Sequence, residues 1–194
     1  MHLCFFVICG INKSYEFYDP AIQYDTKKGQ KKIIAGMKLP RFDAACTVFD
    51  EKIVVSGGHW FVMVPRYVST NTVEVYDKDT GTWSCMLDMV EDKSKHSLFV
   101  IKSNLYLIGT TSTGCEVFDK FTNKFIIIES FSSLPRTYYF REFDAVSFGN
   151  KIAIFGKKES TIIFYDTEKD EWYEESCEDL EDDRCISYCK MPQV

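Results

Sequence analysis

The chain has 194 residues, enough for one domain with its own core. Hydrophobic residues make up 45% and charged residues 27%, the balance of a globular protein, and the 15% aromatic content favours strands. A formal charge of −6 denies the basic field that a nucleic-acid or anionic-membrane binder needs, so neither is expected as a partner.

The chain opens on LCFFVICG, residues 3–10. No positive segment precedes this apolar run and no small-residue cleavage site follows it, so it reads as a buried strand rather than a leader. No later stretch approaches the ~20 apolar residues of a membrane span. Next comes AIQYDTKKGQK (21–31), then RFDAACTVF (41–49), KIVVSG (52–57) and VEVYDKDTGTW (73–83). The order then repeats with KHSLFVI (95–101), NLYLIG (104–109) and CEVFDKFTNKF (115–125), and again with REFDAVSF (141–148), KIAIFG (151–156) and IIFYDTEKDEW (162–172). Each unit is a strand, a short turn, an apolar strand ending in Gly, an aromatic–Asp pair, and an aromatic residue six positions after the Asp. The first unit lacks its opening strand and carries Lys31 where the others carry Trp83, Phe125 and Trp172.

The four Asp residues, at 25, 77, 119 and 166, lie 52, 42 and 47 residues apart, the period of a four-stranded propeller blade. Their carboxylates are placed to accept backbone N–H groups of the turn ahead. Gly81 and Asn123 fall where a positive φ closes the hairpin. The aromatic opening the fourth strand is placed to pack between neighbouring blades. The Gly residues ending the second strands read as sharp turns near a crowded axis.

In order and repetition these motifs resemble the kelch-repeat family, most strongly over residues 37–92, and within it the kelch half of BTB–kelch ubiquitin-ligase adaptors. The units depart from the pattern: only the second keeps a Gly-Gly pair, Gly57-Gly58, and the third has Phe125 in place of Trp. The resemblance implies an all-β, kelch-type β-propeller of about four four-stranded blades, with units near 1–40, 41–92, 93–136 and 137–182. A closing strand and tail at 183–194, DRCISYCKM and its neighbours, would complete the first blade; the alternative is an open partial propeller, which could self-associate. It also implies a non-enzymatic protein-binding module that recognises substrate for a cullin ligase, without BTB or BACK segments of its own and so in touch with the ligase only indirectly or not at all. The alternative is an actin- or cytoskeleton-associated scaffold.

The residues give their own reading of the site. No nucleophile elbow, zinc-protease motif or phosphate-binding Gly loop is present, so no enzyme activity and no cofactor is expected. Some kelch-fold proteins are copper oxidases, but the three histidines, at 2, 59 and 96, have no partner at a ligand spacing, and His59 and His96 read as surface residues. The eight cysteines contain no C-x-x-C pair, and Cys46 and Cys115 sit in apolar runs as small hydrophobes, which predicts reduced thiols in a cytoplasmic protein. The stretch 171–184 is dense with carboxylates and reads as a solvated connector.

One segment is longer than its counterparts in the other units. GGHWFVMVPRYVSTN, 57–71, carries His59, Trp60, Phe61, Met63, Arg66 and Tyr67, the residue types that anchor protein interfaces. The competing reading has Phe61, Val62 and Val64 extend the strand pair or fold over the hub. Arg136, Tyr138, Tyr139 and Arg141 in SLPRTYYFREF (133–143), with Arg66, Lys157 and Lys158, would form a basic rim suited to an acidic peptide; the alternative is that Tyr138 and Phe140 alternate inward as strand residues.

Overall fold

The computed structural model describes residues 4–8, 10–17, 21–109, 114–128, 143–156 and 161–176. Blade 1 holds β1 (Cys4–Val7), β2 (Ala21–Asp25) and β3 (Gln30–Ile34) as a three-stranded antiparallel sheet. Blade 2 begins with β4 (Ala45–Phe49) and β5 (Lys52–Ser56), is interrupted by a separate hairpin, β6 (His59–Met63) and β7 (Arg66–Ser69), and ends with β8 (Val73–Asp77) and β9 (Thr82–Cys85). Blade 3 runs β10 (Ser97–Ile101), β11 (Asn104–Ile108), β12 (Cys115–Asp119) and β13 (Lys124–Ile127). Blade 4 runs β14 (Phe143–Phe148), β15 (Lys151–Gly156), β16 (Thr161–Asp166) and β17 (Glu171–Ser176). Within each blade successive strands pair antiparallel, β5 joining β8 past the inserted hairpin, and first strands sit side by side, β4 against β10 and β10 against β14. This is the all-β architecture that the repeat implies. The expected closing strand at 183–194 lies outside the described residues.

The turns explain the register. Asp50 and Glu51 have φ of 47° and 61°, and Lys102 and Ser103 have 49° and 66°, the paired left-handed residues of a tight two-residue hairpin. After the third strands, Asp25 accepts the N–H groups of Lys27 and Lys28 at 2.9 and 3.0 Å, and Asp77 those of Asp79 and Thr80 at 2.9 and 3.3 Å. Asp119 accepts Phe121 N–H at 2.9 Å, and Asp166 those of Glu168 and Lys169 at 3.0 and 3.3 Å. Gly81 and Asn123 then take φ of 70° and 53°. The aromatic follows two residues later, so blades 2 to 4 bring the same pair face to face: Tyr76–Trp83, Phe118–Phe125 and Tyr165–Trp172, with ring centroids 5.2, 5.2 and 4.5 Å apart. In blade 1 the pair is Tyr24 opposite Lys31.

The core lies between blades rather than within them. Ile8, Ala21 and Ile34 of blade 1 meet Ile53, Val55, Tyr76 and Trp83 of blade 2. Phe49, Val54 and Val73 of blade 2 meet Leu98, Leu105, Leu107, Phe118 and Phe125 of blade 3. Ile101, Tyr106, Ile108 and Cys115 of blade 3 meet Ile152, Ile154, Ile163 and Tyr165 of blade 4. Trp83 also donates its indole N–H to Ala35 O at 2.7 Å, which ties blade 2 to the segment leaving blade 1. Burying each large side chain contributes roughly 1.5–3 kcal/mol, so contact with a neighbour decides whether a blade is stable.

Two buried ion pairs hold the linkers entering blades 2 and 3. Arg41, wholly buried, donates to Glu74 Oε1 at 2.7 Å and to the carbonyls of Gly57 and Thr72 at 2.9 Å each. Glu74 in turn accepts the N–H groups of Lys38 and Leu39 at 2.7 and 3.0 Å. One blade later, Lys93 meets Glu116 at 3.1 Å, both wholly buried, and Glu116 accepts Val90 N–H at 2.9 Å. Glu74 and Glu116 occupy the same place in β8 and β12, and Arg41 and Lys93 both stand 11 residues before the second strand of their blade, counting to Lys52 and Asn104. In blade 4 the carboxylate's place is taken by Ile163, also wholly buried.

Three expectations need correction. Cys46 is exposed, because β4 turns Ala45 and Phe49 to the core and Cys46 away from it; only Cys115 is a buried thiol among the free cysteines described. His96 is no surface histidine: it is buried, with Nε2 at 2.7 Å from Ser56 Oγ. Gly57 is required by the following linker rather than by a turn alone. A Cβ there would stand 2.3 Å from Lys93 O and 2.6 Å from His96 Cε1, at a φ of 57°.

Truncating one partner of a buried pair leaves the other charge stranded. Glu116→Ala is expected to cost about 3–5 kcal/mol in chemical denaturation, and Lys93→Met with Glu116→Leu far less. A single variant as stable as the double one would show the pair to be unimportant. His96 supplies a pH dependence. Burial, with Lys93 and Arg41 nearby, pushes its imidazole down to about 3, so the native state refuses a proton that the unfolded chain takes up below about 6.5. Stability is therefore full above about pH 6.5 and falls by roughly 1 kcal/mol per unit as the pH drops towards 3. His59, also lowered, contributes in the same sense, while Asp77, Asp119 and Asp166, all lowered, act only below the ordinary carboxylate range. Denaturation midpoints at pH 7 and pH 5 should diverge clearly in the wild type and much less in His96→Gln; equal divergence in both would rule His96 out.

Candidate functional site

The long segment of blade 2 is a hairpin, not an irregular loop. β6 and β7 pair His59 with Ser69, Trp60 with Val68, Phe61 with Tyr67 and Met63 with Arg66, with a bulge between Phe61 and Met63 and a cis Val64–Pro65 bond at the tip. Its base is sewn to the two neighbouring linkers. Phe42 and His59 exchange backbone hydrogen bonds at 3.0 and 2.7 Å, Thr70 donates to Gly58 O at 3.1 Å, and Gly58 donates to Lys93 O at 2.7 Å.

Residues directly opposite across a hairpin share a face, and the two faces here differ. On one, Phe42 packs against His59, Phe61 and Tyr67 with centroids 5.2, 5.5 and 5.3 Å away, and His59 lies 4.8 Å from Tyr67. Phe17 and Tyr15, from the segment joining β1 to β2, reach Phe61 at 5.3 and 6.0 Å. This aromatic cluster joins the loop ends of blades 1 and 2. Phe61 is thus partly committed to holding the hairpin down. The other face carries Trp60, half-buried, with Val68 and Val62 exposed beside it, and the tip adds exposed Met63, Val64 and Arg66. Arg66 is the only Lys, Arg, Asp or Glu between 59 and 69.

His59 sits at the rim of the cluster with Nδ1 3.5 Å from Asp43 Oδ2. Desolvation lowers its pKa, Asp43 partly offsets that, and Lys95 adds to it. His96 and Ser56 resemble a base and nucleophile by distance, yet both are buried, so no substrate reaches them. Among the described residues, no three His, Cys, Asp or Glu side chains gather closely enough to hold a metal ion.

Of the residues singled out from sequence, the hairpin brings together His59, Trp60, Phe61, Met63, Arg66 and Tyr67. Arg136, Tyr138, Tyr139, Phe140, Arg141, Lys157 and Lys158 lie outside the described residues, so the basic rim is represented by Arg66 alone. Sequence reading missed Phe42, Phe17 and Tyr15 as partners of the hairpin, since they come from two other segments and share no local pattern with it. The buried carboxylates had a faint signal: Glu74 and Glu116 recur at one repeat position inside otherwise apolar strands.

The aromatic cluster makes a testable claim about how the hairpin is held. Phe42→Ala should speed amide exchange across residues 59–69 while leaving β10–β13 unchanged, as hydrogen–deuterium exchange would report. Equal protection in both segments would mean that the backbone bonds alone hold it.

Comparison with known proteins agrees with this geometry. The kelch motif family model matches residues 40–89, which span the linker, blade 2 and its inserted hairpin. Kelch-like protein 40 of Xenopus tropicalis is 33% identical over 90 residues, 46% of this chain and 14% of that protein. Human kelch-like protein 28 is 31% identical over 99 residues, 50% of this chain and 16% of its own length. An F-box/kelch-repeat protein of Arabidopsis thaliana is 28% identical over 104 residues, 54% of this chain and 27% of its own. The matched part is therefore a small share of each relative. The solved structure of YjhT shares the fold, with a TM-score of 0.64 at 17% identity over 80% of this chain and 58% of that one. Repeated sheets, a kelch motif matched over residues 40–89 and these relatives together support a kelch-repeat protein resembling the propeller domains of kelch-like proteins.

Proposed function

We infer that this chain is a protein-recognition module that holds a partner against the free face and tip of the β6–β7 hairpin, and that it serves as the substrate-recognition part of a cullin-type ubiquitin-ligase adaptor. The kelch motif and the kelch-like relatives support a protein-interaction module. The observation that carries the site is the hairpin itself: one face is consumed by the aromatic cluster, while the other presents Trp60, Val62 and Val68 beside a lone cation. Trp and Arg next to exposed apolar side chains are the usual anchors of an interface, since they bury large area and keep a polar handle. Arg66 can grip a carboxylate through two parallel hydrogen bonds, which favours an acidic partner. The ligase role follows from the likeness to kelch-like proteins, and the adaptor segments that bind the cullin would come from elsewhere. No helix among the described residues is long and apolar enough to cross a membrane, and Cys46, Cys85 and Cys115 are free thiols, in keeping with a cytoplasmic setting.

Affinity capture with wild-type chain, followed by titration of the recovered partner, tests both parts. Trp60→Ala with Arg66→Ala should weaken that partner by about 2 kcal/mol or more, roughly thirty-fold. Unchanged affinity in the folded double variant removes the hairpin from the site. Recovery of the partner without any cullin subunit would leave recognition standing and end the ligase reading.

A further inference from the structure

Blade 4 has one face covered and one uncovered by the described core. Ile152, Ile154, Ile163, Tyr165 and Trp172 face blade 3. The opposite face carries Phe148, Ile162, Phe164 and Tyr173, joined by ring contacts of 6.0 Å between Phe148 and Phe164 and 5.2 Å between Phe164 and Tyr173, with Lys151 donating to the Tyr173 hydroxyl at 2.8 Å within the same face. Phe148 is 46% exposed, whereas Phe49 and Ile101, at its place in blades 2 and 3, are 6% and 4% exposed because the following blade covers them. Ile162 is half-buried where Val73 and Cys115 are wholly buried. Strand register adds Glu171 and Glu175 to this face, opposite Asp166 and Ile162.

Blade 1 presents the reciprocal surface. Ala21 and Ile34 face blade 2, so the alternation along β2 and β3 turns Ile22, Tyr24, Lys31 and Ile33 the other way. Ile33 is 71% exposed. In blades 2 to 4 this is the face that covers the preceding blade, and its outer strand carries Trp83, Phe125 or Trp172 where blade 1 has Lys31. Lys27, Lys28 and Lys32 lie beside Lys31, all exposed. Blade 1 thus has an apolar centre with a basic outer strand, and blade 4 an apolar centre with an acidic outer strand, its Lys151 already engaged by Tyr173.

We propose that two copies of this chain join head to tail, the free face of blade 4 in one copy packing on the free face of blade 1 in the other, with Lys31 set against Glu171 and Glu175. The contact repeats the one already made between consecutive blades, with an ion pair replacing the Trp. Made in both directions it closes on itself and hides both free faces of both copies. A second copy is favoured over closure within one chain on two grounds. Among the described residues no core cluster joins blade 4 to blade 1. The four sheets also match only 58% of a longer chain of the same fold, so their arc leaves room for further sheets.

Size-exclusion chromatography with light scattering on the whole chain tests this. The expected mass is twice that of the 22.5 kDa chain. Lys31→Glu alone, or Glu171→Lys with Glu175→Lys, should raise the dimer dissociation constant at least about ten-fold, since like charges then oppose each other across the contact. The chain carrying all three changes should recover the dimer. These side chains are exposed, and circular dichroism confirms that each variant keeps its strands. A monomeric wild type overturns the proposal, including one whose melting temperature falls on Lys31→Glu, the mark of closure within one chain. A dimer indifferent to both charge reversals overturns it equally.

Discussion

Everything in this molecule depends on sheet meeting sheet. A twisted antiparallel sheet of three or four short strands has two faces and too little area within itself to bury either. Each of the three core clusters is built from two consecutive blades, and the aromatic pairs Tyr76–Trp83, Phe118–Phe125 and Tyr165–Trp172 lie on the face that meets the preceding blade. The repeat in the sequence is the chemical consequence. A contact that must be made again and again at one geometry selects the same residue types at the same spacing.

The linkers bring a second constraint, because they carry backbone polar groups past the buried ends of the blades. Glu74 and Glu116 answer it by accepting linker N–H groups, and the cations Arg41 and Lys93 balance the charge so introduced. Such pairs add little net stability, since desolvating both ions offsets most of their attraction. They do fix where the linker runs. The site inherits that precision: Arg41 bonds the Gly57 carbonyl, Lys93 bonds Gly58, and the β6–β7 hairpin springs from those two glycines. Gly57 tolerates no side chain because the next linker passes against it, so hairpin and linker can only be placed together.

The hairpin divides its side chains between support and exposure. Phe61 and Tyr67 lie on Phe42, and Phe61 also on Phe17, which presses the insertion onto two blades at once. That leaves Trp60, Val62, Val68 and Arg66 on a ribbon with a rigid root, away from the aromatic cluster.

The sequence by itself determined the sheets, their order and their register. Strand periodicity, Asp-led turns and the recurring aromatic are local, and each is dictated by contacts within a few residues or within one hairpin. It also marked residues 57–71 as longer than its counterparts and supplied the candidate anchors. Tertiary structure alone decided which way those anchors face, because the partners of Phe61 come from residues 15, 17 and 42, remote in the chain and matched only by packing. It likewise decided the fate of His96 and Cys46. A histidine next to a strand reads as surface until Ser56 and Lys93 close over it, and a cysteine in an apolar run reads as core until the pleat turns it outward. Local pattern fixes conformation; burial is a property of what arrives from elsewhere.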